Sequence, residues 1–548
     1  MALSLSCQDV LVVLFIASSY LIWRVYKVLA SRLGSPLRIW PGPPCTSWVY
    51  GNLKDMLAVE DSALPDKLFK QYGKVYVDRE FFMTPRLWTV DSAALNYILT
   101  HDVDFVRPKI NIKELADTIG KGILFVSGTR HRQQRRIMNP AFGPMQVRDL
   151  TEIFVKKSNE LRDYWAHVTQ AGPTVLNVNA DLSKATLDII GQAGFGYDFN
   201  ALNLEGNPTE LSIAFRKILE ITSTGAVSLL GHLVTLFPFL ALIPNKRLSQ
   251  LASAVAVMKR LGLQLVAERK AAILREAAEK QIDGVERKDL QDRDLLTLLI
   301  KANMANDVPE SQRLSDVDVF GQIPTFLLAG HETTATASTW ALYALSQKPD
   351  IQQKLREELF SISTDTPTMD ELNSLPYLDA VVRETLRLHS PVTFIVREAK
   401  KDDVIPLSEP ITDRYGRAHR EIRIAKGNKV VIPVIAMHRL KEVWGEDATE
   451  FKPERWQQPP EEISAIPGLW GHLLSFSGGP RSCIGYRFSL VEFKAILFSI
   501  IRGFEFEMPM PLEEYEIKTS PLQRPSVRSA PEKGWQLPLL VKPYKGAA

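Results

Sequence analysis

The chain has 548 residues, 45% of them hydrophobic, with 66 Lys and Arg against 63 Asp and Glu for a net charge of +3. So even a balance argues against nucleic acid as a partner. Three cysteines, at positions 7, 45 and 483, are too few and too odd a set for a disulfide framework and suit a reducing, cytosol-facing compartment.

Residues 10–23 carry no charge. Trp23 and Tyr26 can sit at a membrane interface, and Arg24, Lys27, Arg32 and Arg38 follow, while only Asp9 precedes. This predicts a single-pass anchor within residues 1–30, with the rest of the chain on the cytosolic side. A cleaved secretory signal is the competing reading, but the run lacks a basic leader and a clean small-residue cleavage site. Within residues 31–50, Trp40-Pro41-Gly42-Pro43-Pro44 predicts a stiff linker, because proline fixes φ and forbids helix. Residues 51–548 show no repeat or low-complexity tract and read as one large unit.

Helical periodicity runs over 150–165, 248–281, 315–346, 349–362, 377–388 and 486–501, with Pro324 expected to bend the third of these. Strand-like runs are few and short, at 75–77, 87–90, 422–425 and 429–434. The predicted fold class is therefore mainly α with small β-sheets. Residues 226–244 are nearly long enough to span a bilayer but contain Gly231, His232 and Pro238, so they read as an apolar roof dipping into the membrane. The charged stretch 276–294 reads as a solvated helix end and loop.

Chemistry concentrates in a few short segments. Phe476-Ser477-Gly478-Gly479-Pro480-Arg481-Ser482-Cys483-Ile484-Gly485 presents a cysteine on a tight loop just before a helix, where N–H groups and the dipole favour thiolate. Glu384 and Arg387 stand three apart on one helix face, as an ion pair would. Ala329-Gly330-His331-Glu332-Thr333-Thr334 puts polar groups midway along an apolar helix, where a Thr hydroxyl can bond its own i−4 carbonyl and open the ladder.

The cysteine segment resembles the pattern Phe-x-x-Gly-x-Arg-x-Cys-x-Gly of the cytochrome P450 family, and the similarity extends over nearly the whole chain after Pro41. It implies the P450 fold, with haem b between a long central helix and the cysteine-loop helix, and Cys483 as the thiolate ligand of the iron. Phe476, Gly485, Arg481, Arg397, Arg135 and His131 would bind the haem, His131 standing where the family usually has tryptophan, and Gly330 would leave room for dioxygen. Glu332 and Thr333 would form the acid–alcohol pair that supplies protons. Arg455, in Phe451-Lys452-Pro453-Glu454-Arg455-Trp456, would join Glu384 and Arg387 in a buried triad supporting the cysteine loop.

The resemblance further implies insertion of one oxygen atom from O₂ into a C–H bond. No flavin or nicotinamide fingerprint occurs, so electrons would come from an NADPH–cytochrome P450 reductase on the same membrane, that of the endoplasmic reticulum, with cytochrome b5 as a further donor. Uncharged positions Phe326, Ala329, Phe394, Ile395, Val396 and Leu522 would line a cavity for a large apolar substrate, beside Thr519, Ser520 and Pro521. Similarity of several stretches to fungal members suggests a terpenoid of secondary metabolism. The rivals are a haem-thiolate enzyme that rearranges an oxygenated substrate without O₂, and a haem protein that only binds gases.

Overall fold

The computed structural model describes residues 34–58, 63–108, 120–202, 210–223, 246–279, 294–305, 309–518 and 522–544, with Gly546 and scattered positions between 12 and 26. Half of the apolar run 10–23, the roof 226–244, most of the charged stretch 276–294, and Thr519, Ser520 and Pro521 lie outside the described residues. Among the described residues, no helix is long and apolar enough to cross a membrane.

The helices that position the site are α1 (Gly128–Met138), α2 (Pro144–Val168), α3 (Val178–Phe195), α4 (Lys246–Glu279), α5 (Leu295–Met304), α6 (Gln322–Ser346), α7 (Pro349–Leu359), α8 (Pro376–Leu388) and α9 (Tyr486–Gly503). The strands are β1 (Val75–Glu80), β2 (Thr84–Thr89), β3 (Phe105–Val106), β4 (Phe394–Ala399), β5 (Asp403–Thr412), β6 (Ala418–Ile424), β7 (Lys429–Pro433), β8 (Tyr515–Lys518) and β9 (Arg524–Val527). The largest sheet has the order β1-β2-β7-β4-β3, while β5–β6 and β8–β9 form separate antiparallel ribbons. Strands 174–177, 504–507 and 538–543 make a further small sheet. The expected class, helical with small sheets, is the one observed.

Two local expectations change. Helix 315–346 is broken: Asp316–Phe320 forms a short helix, and α6 begins after Gly321. Pro324 lacks the N–H that would bond residue 320, so the helix restarts one turn ahead of it. The proline segment, read as a stiff linker, is docked on the body. Pro41 O accepts from Val77 N on β1 at 2.8 Å, Pro44 O accepts from Asn52 Nδ2 at 2.8 Å, and Leu37 and Trp40 are buried. Proline keeps its carbonyl acceptor while losing its donor, so the segment docks by acceptors alone.

Helix α3, which lies along α6, carries no predictive periodicity because 13 of its 18 residues are buried and no polar face remains. Its acids are satisfied locally: Asp181 accepts from Trp165 Nε1 on α2 at 3.1 Å, and Asp188 accepts from Ala201 N and Leu202 N. On α6, Thr325, Thr333, Thr336 and Thr339 all donate to their own i−4 carbonyls. That pattern loosens a helix at each site. Thr334 Oγ1 lies 3.2 Å from Ser489 Oγ, joining α6 to α9.

Candidate functional site

The cysteine loop is shaped by packing. Gly479 has φ of +67, and a Cβ there would fall 2.3 Å from Leu99 O, while one at Gly478 would fall 2.0 Å from Pro467 O. Cys483 N donates to Phe476 O at 2.9 Å, closing the loop, and the Phe476 ring is buried between Trp470 and Tyr486. Cys483 keeps an open side although protein surrounds its sulfur. Burial pushes its thiol up, and the Gly485 N–H, Arg135 and Arg107 pull it down. A Cβ at Gly485 would meet only the Phe142 ring at 3.5 Å. Packing within the chain does not require that glycine.

Around the loop stands a buried basic cluster. Arg481 donates to Asp102 at 3.3 Å and to Val126 O at 3.1 Å, and its Nη2 has no partner. Arg135 donates to Ser482 O at 2.6 Å, so part of its guanidinium holds the loop itself. Arg397, on β4, is buried with a bond to Val396 O. His131 and Arg135 sit four apart on α1, and the His131 Nδ1 is buried without a partner.

A fourth arginine, Arg107, was not signalled by any motif; its Nη1 donates to Leu124 O. These groups suppress one another. Burial, then Arg107 and Arg481, lowers Arg397 to about 9, and burial and Arg481 lower Arg107 to about 10. Burial, then Arg481, Arg135 and Arg107, lowers His131 to about 3, which keeps it neutral. Four guanidiniums with an unpaired donor beside a cysteine fit a flat cofactor carrying carboxylates, which is the chemistry of haem propionates.

The support behind the loop is fully buried. Arg387 donates to Glu384 through Nε at 2.9 Å and Nη2 at 2.7 Å, and both residues are 0% exposed. Arg455 Nε lies 3.5 Å from Glu384 Oε1, and its Nη1 reaches Asp447 at 2.6 Å. Arg455 thus approaches the same carboxylate, and Trp456 Nε1 and Lys452 N donate to it at 3.0 Å each.

His438 connects this unit to the loop. Leu474 N donates to its Nε2 at 2.8 Å, so Nδ1 carries the hydrogen and donates to Arg387 O at 3.2 Å. Burial, then Arg387, lowers His438 to about 3. A base depressed in the folded state stabilises above its unfolded value near 6.5, and that contribution is lost as pH falls from about 6.5 toward 3. We expect the melting temperature to fall over this window, by up to about 1.4 kcal/mol of stability per pH unit for one proton. A His438→Gln variant, followed by circular dichroism, should show a shallower fall, and an unchanged slope would contradict the assignment.

On α6, Ala329 is exposed and Thr333 half-buried although the helix crosses the body, so this face is open. Thr333 Oγ1 donates to Ala329 O at 2.5 Å, as the sequence suggested. A Cβ at Gly330 would lie 2.9 Å from Ile190 Cδ1, so its smallness also serves the packing of α6 on α3. Phe326 is 6% exposed, edge-on to Phe142 and stacked with Phe195. Phe394, Ile395 and Val396 on β4 are half-buried, and Leu522 bridges to Val392 beside them.

Glu332 forms an ion pair with Arg524 on β9, and its Oε1 is 3.5 Å from His331 Nδ1. His331 Nε2 is 2.8 Å from Ser183 Oγ on α3. Neither Arg524 nor Ser183 carries a sequence signal, since each meets α6 only through tertiary packing.

The sequence matches the family described as Cytochrome P450 over residues 41–529. Among curated relatives, it is 50% identical to Cytochrome P450 monooxygenase 205 of Postia placenta, covering 99% of each chain. It is 48% identical to Cytochrome P450 monooxygenase 128 of the same fungus, over 96% of this chain and 97% of the relative. Identity to Ganoderic acid synthetase CYP5150L8 of Ganoderma lucidum is 33%, over 90% and 92% respectively.

Proposed function

The chain belongs to the cytochrome P450 family and is a haem-thiolate monooxygenase, and on that premise we propose that it oxidises a C–H bond of a large apolar molecule, a terpenoid of secondary metabolism. The observation that carries the substrate class is that Phe394, Ile395, Val396 and Leu522 are uncharged and only half-buried, and that Ala329 is exposed. Burying an unpaired charge there costs several kcal/mol, about as much as burial of apolar surface contributes at ~25 cal/mol per Å² over ~200 Å². The relative named for ganoderic acid lends support to a secondary-metabolite substrate.

When bound, the haem supplies activation of O₂. In this reading Cys483 holds the iron, and Arg107, Arg135, Arg397, Arg481 and neutral His131 hold the propionates. Thr333 spends its hydroxyl proton on Ala329 O, which turns the Oγ1 lone pairs to the open face. Glu332, the preceding residue on α6, would take a proton from water and hand it toward that oxygen. Thr333→Ala is expected to retain haem and substrate binding while diverting several-fold more NADPH to peroxide. Wild-type coupling of NADPH to product would rule that role out.

Electrons would come from an NADPH-dependent reductase. We read residues 10–23 as the anchor to the endoplasmic reticulum membrane and 226–244 as a second contact; sedimentation with membranes of a chain lacking residues 1–27 tests both, and complete solubility at low salt would refute the second. For the substrate class, titration with terpenoids and fatty acids is expected to give the high-spin shift of water leaving the iron. A shift produced only by small charged ligands would overturn the reading.

A further inference from the structure

The carboxylate assigned to proton handling is not alone. Glu332 Oε2 is paired with Arg524, with side chains 15% and 12% exposed. The Arg524 Nε is buried without a partner, and its guanidinium carbon lies 5.8 Å over the Trp535 ring, so the pair to Glu332 is the strong interaction this side chain makes. His331 Nδ1, the other nitrogen near Glu332, is 3.5 Å away and makes no hydrogen bond.

The backbone that carries Arg524 is held firmly. Gln523 N donates to Pro391 O at 3.0 Å, Trp340 Nε1 on α6 donates to Gln523 O at 3.0 Å, and Leu522 bridges Val392. Leu522 therefore stands two positions from the partner of Glu332, in the segment just before β9, which is stitched both to α6 and to the segment leading into β4. Exposed ion pairs are worth little, but one this enclosed, on a fixed backbone, sets the orientation of its carboxylate.

We propose that Arg524 is a positioning residue for oxygen activation: it fixes the orientation of the Glu332 carboxylate on the turn of α6 that carries Thr333, and links that orientation to the segment through Leu522 that leads into β9. This rests on the proton-handling role read for Glu332. The guanidinium occupies Oε2 and leaves Oε1 as the atom that can receive a proton. Without it, the carboxylate turns freely into water and its protons are no longer directed toward Thr333, so more O₂ would leave with two electrons from NADPH and two protons from water as hydrogen peroxide.

The test is NADPH oxidation by the purified holoenzyme with a purified NADPH-dependent reductase, without organic substrate, reading the fraction of NADPH recovered as hydrogen peroxide and the solvent deuterium isotope effect. Arg524→Gln is expected to raise the peroxide fraction to within about twofold of that in Glu332→Gln. The double variant should be no worse than Glu332→Gln alone, as for two residues acting through one group, and Arg524→Lys should restore at least half of the difference. All variants should keep the thiolate spectrum of the carbon monoxide complex. Thermal unfolding of the same four proteins should show a non-additive cycle if the pair forms in solution.

Should Arg524→Gln fail to assemble, Arg524→Met, which keeps the stem over Trp535, takes its place. A wild-type peroxide fraction and isotope effect in the Arg524 variant, with a raised fraction in Glu332→Gln, overturns this inference alone. So does full additivity in the double variant. A wild-type fraction in Glu332→Gln itself overturns the reading on which the inference rests.

Discussion

Cys483→His is expected to abolish the red-shifted Soret band that the reduced carbon monoxide complex of a thiolate-ligated haem displays, and with it monooxygenase activity. The loop around residue 483 is closed by Cys483 N to Phe476 O and pinned at Gly478 and Gly479, so the substitution leaves the backbone course intact. The arginines make no hydrogen bond to the sulfur, so their donors remain for haem while the ligand changes. Imidazole lacks the electron density that a thiolate pushes onto iron, so the spectrum moves and O–O cleavage fails. Cys45, bonded to Ser47 O on the opposite end of the sequence, is the control, and Cys45→Ser should leave the band unchanged. A thiolate band surviving in Cys483→His would place the ligand elsewhere.

Arg387→Leu is expected to cost about 3–5 kcal/mol, because it strands a carboxylate that is taken wholly out of water. Glu384 would retain Lys452 N, Trp456 Nε1 and the longer contact to Arg455, none of which replaces a bidentate guanidinium. Arg387 also caps the carbonyls of His438, Ala448 and Glu450, so these lose their donor together. Against a total stability of about 5–15 kcal/mol the loss is large, and it is transmitted to the loop through His438 and through Ser475 Oγ, which donates to Leu386 O at 2.7 Å. Thermal unfolding and haem content measure it. Removing both charges in Glu384→Leu/Arg387→Leu should recover part of the loss. A single variant within 1 kcal/mol of wild type would show that the triad does not support the fold.

What the sequence by itself determined was local. The cysteine loop, the i, i+3 pair Glu384 and Arg387, the Thr333 bond to its i−4 carbonyl and the long amphipathic helices are legible because each depends on residues within one or two helical turns. The family resemblance extended that reach to Arg455, which approaches Glu384, and to Arg397 and Arg135, which stand in the basic cluster around the loop.

What only the tertiary structure decided depends on distant segments meeting. Arg107 joins the basic cluster from the stretch after β3, His438 links the triad to the loop through Leu474, and Arg524 reaches Glu332 across 192 positions of chain. Helix α3 is invisible to periodicity because burial on all sides erases the polar face that periodicity detects. Gly330 and Phe326 were read by their neighbours in sequence, whereas Ile190, Phe142 and Phe195 decide what their faces touch. A side chain's type and spacing say which face of an element it occupies, and only the packing of one element on another says what that face meets.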